Sequence, residues 1–286
     1  MVLLHFFAAL RRGDLSAVAT FDHGTGAAAA SAVEFVVGEC LRRGIPVIAG
    51  RSPLSLPSPT AASESVLREA RWAYLRAVAE ERQAVIVTAH SRDDQAETVA
   101  MRILRGASAR GLAAMVAPTP DVRRPLLGVS RAEISRVAVA ERVPYVDDPS
   151  NEDRDYLRNR LRADLLAAVE RARPGFTDEL VAIGERAAQW RAALADLADS
   201  MGVQMVGGAV VSDARVLASL TEEGLAVLWP ELAGRASVVL DRRGIERLVA
   251  WTPVARPGQR MPLSGGAMVE RTANTFVLRA SGSAAD

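Results

Sequence analysis

At 286 residues the chain reaches the size, about 250–300 residues, at which a single core stops growing, so two domains or one domain with an appendage are expected. A composition of 49% hydrophobic and 24% charged residues excludes intrinsic disorder, and a net charge of +1 selects no class of partner. All 35 basic residues are arginine, so Schiff-base catalysis through an amine of the chain itself is excluded.

The single cysteine, Cys40, lies on an apolar helix face and reads as a small buried hydrophobe in a reducing compartment. The opening "MVLLHFFAAL" lacks a basic leader and a cleavage site, and no run approaches the ~18 apolar residues of a membrane span. A cytoplasmic protein without a membrane partner is expected.

"VLLHFFAALRRG" reads as a helix end, and "LSAVATF" as a strand closing on Asp22-His23-Gly24. A helix follows over about 28–43, with Gly44 as its C-cap, and then a second strand, "IPVIAG". Pro53, Pro57 and Pro59 mark residues 52–62 as a loop. A helix over about 63–82 has Val66, Ala70, Ala73 and Ala77 as its expected buried stripe, with Glu64, Arg68 and Arg71 on another face. The strand "AVIVT" and a helix from about Asp93 to Arg105 come next. Strands alternating with helices imply a parallel sheet covered on both faces, with ligands at the carboxyl ends of its strands.

Ser130 and Glu133 form a capping box for a helix running to about Arg142. A turn-rich segment, "VPYVDDPSNED", precedes helices over about 155–172 and 177–200. In the first of these Leu157, Leu161, Leu165 and Ala168 are expected to face the core. Residues 203–280 mix short strands, two short helices and Gly- and Pro-rich turns. The expected division is an α/β domain at 1–150, a helical extension at 151–202 and a small α+β domain at 203–286.

The densest chemistry is "TAHSRDDQAET", residues 88–98. His90 sits at the carboxyl edge of the "AVIVT" strand, and Ser91 and Asp94 have capping-box spacing. Asp93 and Glu97, four apart, and Asp94 and Glu97, three apart, share one side of the helix start. Carboxylates in a first turn also simply offset the helix dipole. The functional alternative is that they hold Mg²⁺ or a cationic substrate while His90 moves a proton. From Arg102 to Arg131 there are six arginines and one acid, Asp121, which suits a phosphate-rich ligand or a solvated surface equally. Arg158 and Arg162, four apart with Asn159 beside them, are placed to grip neighbouring phosphates of an RNA backbone.

Taken together, "DHG", "SESVLREARWAYL", "TAHSRDDQAETVAMRILRGASARGL", "RPLL" and "DDPSNEDRDYLRNRLR" resemble, in order and spacing, the tRNA(Ile)-lysidine synthetases within the PP-loop ATP pyrophosphatases. The resemblance spans about residues 1–175. It implies a PP-loop (adenine nucleotide α-hydrolase-like) domain, a helical extension and a small C-terminal domain. It also implies a two-step ligation, in which ATP adenylates the C2 oxygen of an anticodon cytidine and the ε-amine of free L-lysine then displaces AMP. The partners implied are tRNA(Ile) and lysine, with a homodimer as the assembly.

Carried over by motif, His90, Asp94 and Glu97 are the expected catalytic residues. His23, Arg68, Arg71 and Arg105 are expected to bind ATP, and Asp93 and Asp94 to hold Mg²⁺. Arg102, Arg110, Arg124, Asn151, Arg158, Asn159 and Arg162 are expected to bind tRNA. One departure is large: the family's first strand and its "SGGxDS" loop are not in residues 1–286, and "LSGGAMV" at 263–269 lacks the aspartate and serine, so it reads as a turn. Thr25-Gly26 and Ser91 also depart from the family pattern. The expectations are a start assigned too late, with the chain as given inactive or impaired, or else a non-catalytic tRNA-binding relative. Retention of His90, Asp93, Asp94 and Glu97 favours the former. A tRNA thiolase would want paired cysteines, which the lone Cys40 argues against.

Overall fold

The computed structural model describes residues 1–24, 26–52, 61–117, 119–146 and 154–281, without the side chains of 61–65. It divides into two compact units, Met1–Ala188 and Gln189–Asp286.

In the first unit α1 (Val2–Leu10) leads to β1 (Val18–Asp22), α2 (Ala27–Arg42), β2 (Val47–Arg51), α3 (Ala61–Glu81) and β3 (Ile86–Val87). Then come α4 (Arg92–Leu104), α5 (Ala109–Leu112), β4 (Val122–Arg123) and α6 (Arg131–Ala140). β1 pairs with β2, from Val18 opposite Val47 to Asp22 opposite Arg51, and β3 with β4, Ile86 opposite Val122. Both pairs are parallel, as helical crossovers require, so this unit is α/β as expected. Tyr74 of α3 clamps the first pair: its hydroxyl donates to the Ile48 carbonyl at 2.9 Å and its ring lies on Gly50, where a Cβ would sit 2.4 Å from it. Cys40 is fully buried in α2.

A cavity of about 760 Å³ lies between β1 and β3, bordered by Val18 and Ile86, with Phe7 of α1 and Trp72, Leu75 and Val78 of α3 as apolar walls. This cavity corrects the expected face of α3. Val66, Ala73 and Ala77 are exposed, Ala70 is half-buried, and the inward face is Leu67, Arg71, Leu75 and Val78, turned by about one residue. Burying leucine and valine gains more than burying alanine, so the larger side chains set the rotation. Glu64 falls among the side chains outside the described set.

The helix expected at 155–172 is α7 (Leu157–Arg160), a π-helical turn (Leu161–Leu166) and α8 (Ala167–Ala172). Leu161 and Leu166 are buried, whereas Leu157 and Leu165 are 40% and 46% exposed and Ala168 is exposed, a second correction to the expected core stripe. The wider turn explains it: core contacts recur at five residues rather than four, so Leu166 replaces Leu165. The turn expected at Asp148–Asn151 lies outside the described residues. α9 (Phe176–Ser200) follows.

The second unit holds an antiparallel sheet of β5 (Gln204–Val206), β6 (Ala209–Asp213), β7 (Arg260–Pro262), β8 (Met268–Arg271) and β9 (Thr275–Arg279), in the order β5-β6-β9-β8-β7. Helices α10 (Ala214–Ala218), α11 (Glu222–Arg235) and α12 (Arg242–Trp251) accompany it. Its core centres on Trp229, Leu232, Leu248 and Phe276, and the Trp229 indole N–H donates to Thr252 Oγ1 at 2.9 Å. Ser264-Gly265-Gly266 is a tight turn between β7 and β8, with φ of 73° and 76° at the two glycines. No helix among the described residues is long and apolar enough to cross a membrane.

Candidate active site

The chain leaves β3 at its carboxyl edge through Thr88, whose hydroxyl lies 2.8 Å from His90 Nδ1, and enters α4 at Ser91. Ser91 and Asp94 form the expected capping box: Asp94 N–H donates to Ser91 Oγ at 3.3 Å, and Ser91 N–H and Oγ–H each donate to Asp94 Oδ2 at 2.8 Å. That fixes Asp94 at the helix start with Oδ1 turned outward. One turn on, Glu97 is buried, its side chain 3% exposed.

Hydrophobic packing sets which groups meet Glu97. Ala96, Val99 and Ala100 of α4 form one core with Leu161, Leu166 and Leu180. Arg158, one turn before Leu161, is thereby brought onto the acidic side of α4. Its Nε donates to Glu97 Oε2 at 2.7 Å and its Nη2 to Asp94 Oδ1 at 3.1 Å. Arg131, at the start of α6, completes the cluster. Its Nη2 reaches Glu97 Oε1 at 3.2 Å and Asp94 Oδ1 at 3.3 Å, while its backbone N–H donates to Asp93 Oδ2 at 2.7 Å. Two carboxylates thus face two guanidiniums in charge-assisted bonds. The same helix is braced from beneath by Gln95, fully buried, which accepts from Met115 N–H and donates to the Ala113 carbonyl.

Burial acts to raise the Asp94 pKa, but the Ser91 bonds and the Arg158 and Arg131 charges outweigh it and hold the carboxyl below its ordinary value. Burial pushes His90 down to about 4; Asp94 acts in the opposite sense, and the charges of Arg124, Arg158 and Arg68 add to the lowering. The imidazole is therefore neutral at pH 7 and offers a hydrogen bond rather than a positive charge. Burial lowers Arg71, helped by Arg68 and Arg158, and lowers Arg124, helped by Arg68. These mutual effects place Arg68, Arg71, Arg124 and Arg158 in one region of positive potential around a neutral histidine. Arg124 Nε is buried without a hydrogen-bond partner among the described residues.

The structure thus gathers His90, Asp93, Asp94, Glu97, Arg68, Arg71, Arg124 and Arg158. Arg105 is exposed at the far end of α4, about 16 Å along the helix from Asp94 at 1.5 Å per residue. Arg102 is turned to the Gly111 carbonyl, and Arg110 is half-buried in α5. His23 closes β1 edge-to-face with Phe21 at 5.2 Å. Asn159 and Arg162 are half-buried just beyond Arg158, and Asn151 lies outside the described residues. Thr88 carries no signal in the sequence as a site residue, and Arg131 reads there only as the end of the arginine-rich run. The signal for Arg131 is its position: a cation in the first turn of a helix opposes the dipole and so calls for an acidic partner nearby.

Asp93 and Asp94 would hold a Mg²⁺ ion, together with substrate phosphates, only in exchange for protein hydrogen bonds. Both oxygens of Asp94 and Oδ2 of Asp93 already accept hydrogen bonds. No group of three or more His, Cys, Asp or Glu among the described residues is placed to hold a metal ion.

Residues 1–169 match the PP-loop domain family. The tRNA(Ile)-lysidine synthase of Parasynechococcus marenigrum is 32% identical over 257 residues, covering 86% of this chain and 74% of that protein. The enzymes of the same name from Novosphingobium aromaticivorans and Pseudomonas aeruginosa are 42% and 41% identical, over 55% and 58% of this chain. The chain spans 49% and 38% of their lengths, about half or less. Among solved structures, the U34-tRNA thiolase NcsA from Methanococcus maripaludis aligns over 60% of this chain and 61% of its own with a TM-score of 0.48 at 18% identity. With its α/β unit matched to the PP-loop domain and its sequence to these enzymes, the chain belongs to the tRNA(Ile)-lysidine synthase family.

Proposed function

We propose that the chain carries the substrate-activating and lysine-binding parts of an enzyme that converts an anticodon cytidine of tRNA(Ile) to lysidine. The cytidine C2 oxygen attacks the α-phosphorus of ATP, pyrophosphate leaves, and the ε-amine of L-lysine then attacks C2 and expels AMP. The observation that carries this reading is the acidic pair Asp94 and Glu97, held by two guanidiniums at the carboxyl edge of β3. A site that binds a guanidinium through two carboxylates suits the ammonium of lysine, the one cationic substrate of the reaction.

Within this reading Asp94, kept ionised, orients the incoming amine and accepts its proton as the C2–N bond forms. Glu97 adds the second negative charge. Arg68, Arg71 and Arg124 face the phosphates, where fixed positive charge stabilises the departing pyrophosphate. Neutral His90, bonded to Thr88, donates a hydrogen bond to a phosphate or leaving oxygen. Arg158, Asn159 and Arg162 are assigned to tRNA phosphates, with Arg102, Arg110 and Asn151 as outer contacts. His23 is assigned to the nucleotide side, whereas Arg105, at the far end of α4, is too distant from Asp94 to share it.

The slot between β1 and β3 supports a further parallel strand there. Among the described residues each of the two strands pairs on one side only, and the walls are apolar. A strand ending in a Ser-Gly-Gly-x-Asp-Ser loop would bring backbone N–H donors to the same carboxyl edge, where parallel sheets present ligands. ATP-dependent pyrophosphate release with tRNA(Ile) tests the reading. Release that depends on tRNA, with transfer of lysine to that tRNA lost in Asp94→Asn, supports it; release without tRNA, or lysine transfer undiminished in that variant, contradicts it.

A further inference from the structure

We propose that Arg131 is the positioning residue of the acidic pair, fixing Asp94 and Glu97 at the spacing that grips a substrate ammonium. The proposal rests on the lysine reading above and adds a residue to it.

Three contacts from one residue make the case. The Arg131 backbone N–H holds Asp93 at 2.7 Å, and its guanidinium bridges Asp94 and Glu97 at 3.3 and 3.2 Å. The backbone contact has a reciprocal: Arg92 N–H donates to the Val129 carbonyl at 2.9 Å. The starts of α4 and α6, each closed by its own serine capping box, are therefore clasped by a pair of bonds running in opposite directions. A guanidinium in the first turn of α6 opposes the helix dipole, and the two carboxylates offset that.

Arg158 shares the pair but is held differently. Both arginines converge on one oxygen, Asp94 Oδ1, at 3.3 and 3.1 Å, and they divide the two oxygens of Glu97 between them. Arg131 is tied to α4 by its backbone as well as its side chain, so it keeps the carboxylates in place when another cation competes for that shared oxygen. Both carboxylates are reached by the one nitrogen Nη2 of a planar guanidinium, whose donors point in fixed directions, where a lysine ammonium on its flexible stem rotates and sets no spacing.

The test is isothermal titration of L-lysine into the chain, with carboxyl-carbon NMR titration of Asp94, for the parent, Arg131→Gln, Arg131→Lys and Arg136→Gln. Arg136 lies on the same helix, 77% exposed, and pairs with Glu133 alone in the described set. In Arg131→Gln we expect lysine affinity to fall about tenfold and the Asp94 midpoint to move up. Arg131→Lys restores the midpoint without restoring the affinity, and Arg136→Gln changes neither. An unmoved Asp94 midpoint in Arg131→Gln overturns the proposal, as does full recovery of lysine affinity in Arg131→Lys. If Arg131→Gln does not fold, Arg131→Lys decides: weakened lysine binding supports the proposal, and parental binding overturns it. A parent that binds no lysine sinks the lysine reading instead, and the Asp94 midpoint then decides the role of Arg131.

Discussion

Arg158 and Glu97 stand 61 residues apart in sequence and 2.7 Å apart in space, with Glu97 almost entirely out of solvent. Removing the charge from Glu97 leaves two guanidiniums facing one carboxylate. Glu97→Gln is therefore expected to lower stability by about 1–3 kcal/mol, the range for an orphaned charged partner that is itself part-exposed. Urea unfolding of the two proteins measures it; an unchanged midpoint would show that the pair is solvated.

His90 gives a pH prediction. Its pKa lies near 4 in the folded chain and near 6.5 when unfolded. Between these values the unfolded chain takes up a proton that the folded chain does not, so stability falls as pH drops from about 6.5 to 4 and this contribution levels off below. His90→Gln should flatten that part of the profile. Equal slopes in both proteins over this window would contradict the burial argument.

Behind the site, Gly184 of α9 lies against Gln95, where a Cβ would approach the amide nitrogen to 2.3 Å and Val99 to 3.2 Å. Gln95 is locked by its bonds to Ala113 and Met115 and has no room to yield. Gly184→Ala should cost about 1–3 kcal/mol by overpacking. Gly13→Ala, with nothing within 4 Å, should stay within about 0.5 kcal/mol of the parent. Thermal unfolding distinguishes them, and equal midpoints would refute the packing account.

Much of the site's frame is legible in the sequence because it is local. Ser91–Asp94 and Ser130–Glu133 read as capping boxes at three-residue spacing, and both form. The clustering of His90, Asp94 and Glu97 follows from strand-to-helix order alone. What escapes local reading is rotation and long-range pairing. A π-helical turn at Leu161–Leu166 moves the core contact from Leu165 to Leu166, and no four-residue pattern anticipates an inserted residue. On α3 the inward face carries Arg71 in place of a small apolar residue, so a rule that assigns arginine to solvent turns the helix the wrong way. Arg131 was visible only as one arginine among six, because its partners lie 34 to 38 positions away.

The central claim, that Asp94 and Glu97 receive lysine for transfer to tRNA(Ile), is tested most directly by label transfer. Radiolabelled L-lysine, ATP and tRNA(Ile) are incubated with residues 1–286 and with a version extended by a strand and a Ser-Gly-Gly-x-Asp-Ser loop. The account predicts ATP-dependent labelling of the tRNA by the extended protein, much slower labelling by residues 1–286, and a loss of at least about a hundredfold in Asp94→Asn. An extended protein that binds tRNA(Ile) and ATP yet transfers no lysine, or transfers it equally well with Asp94→Asn, would contradict it.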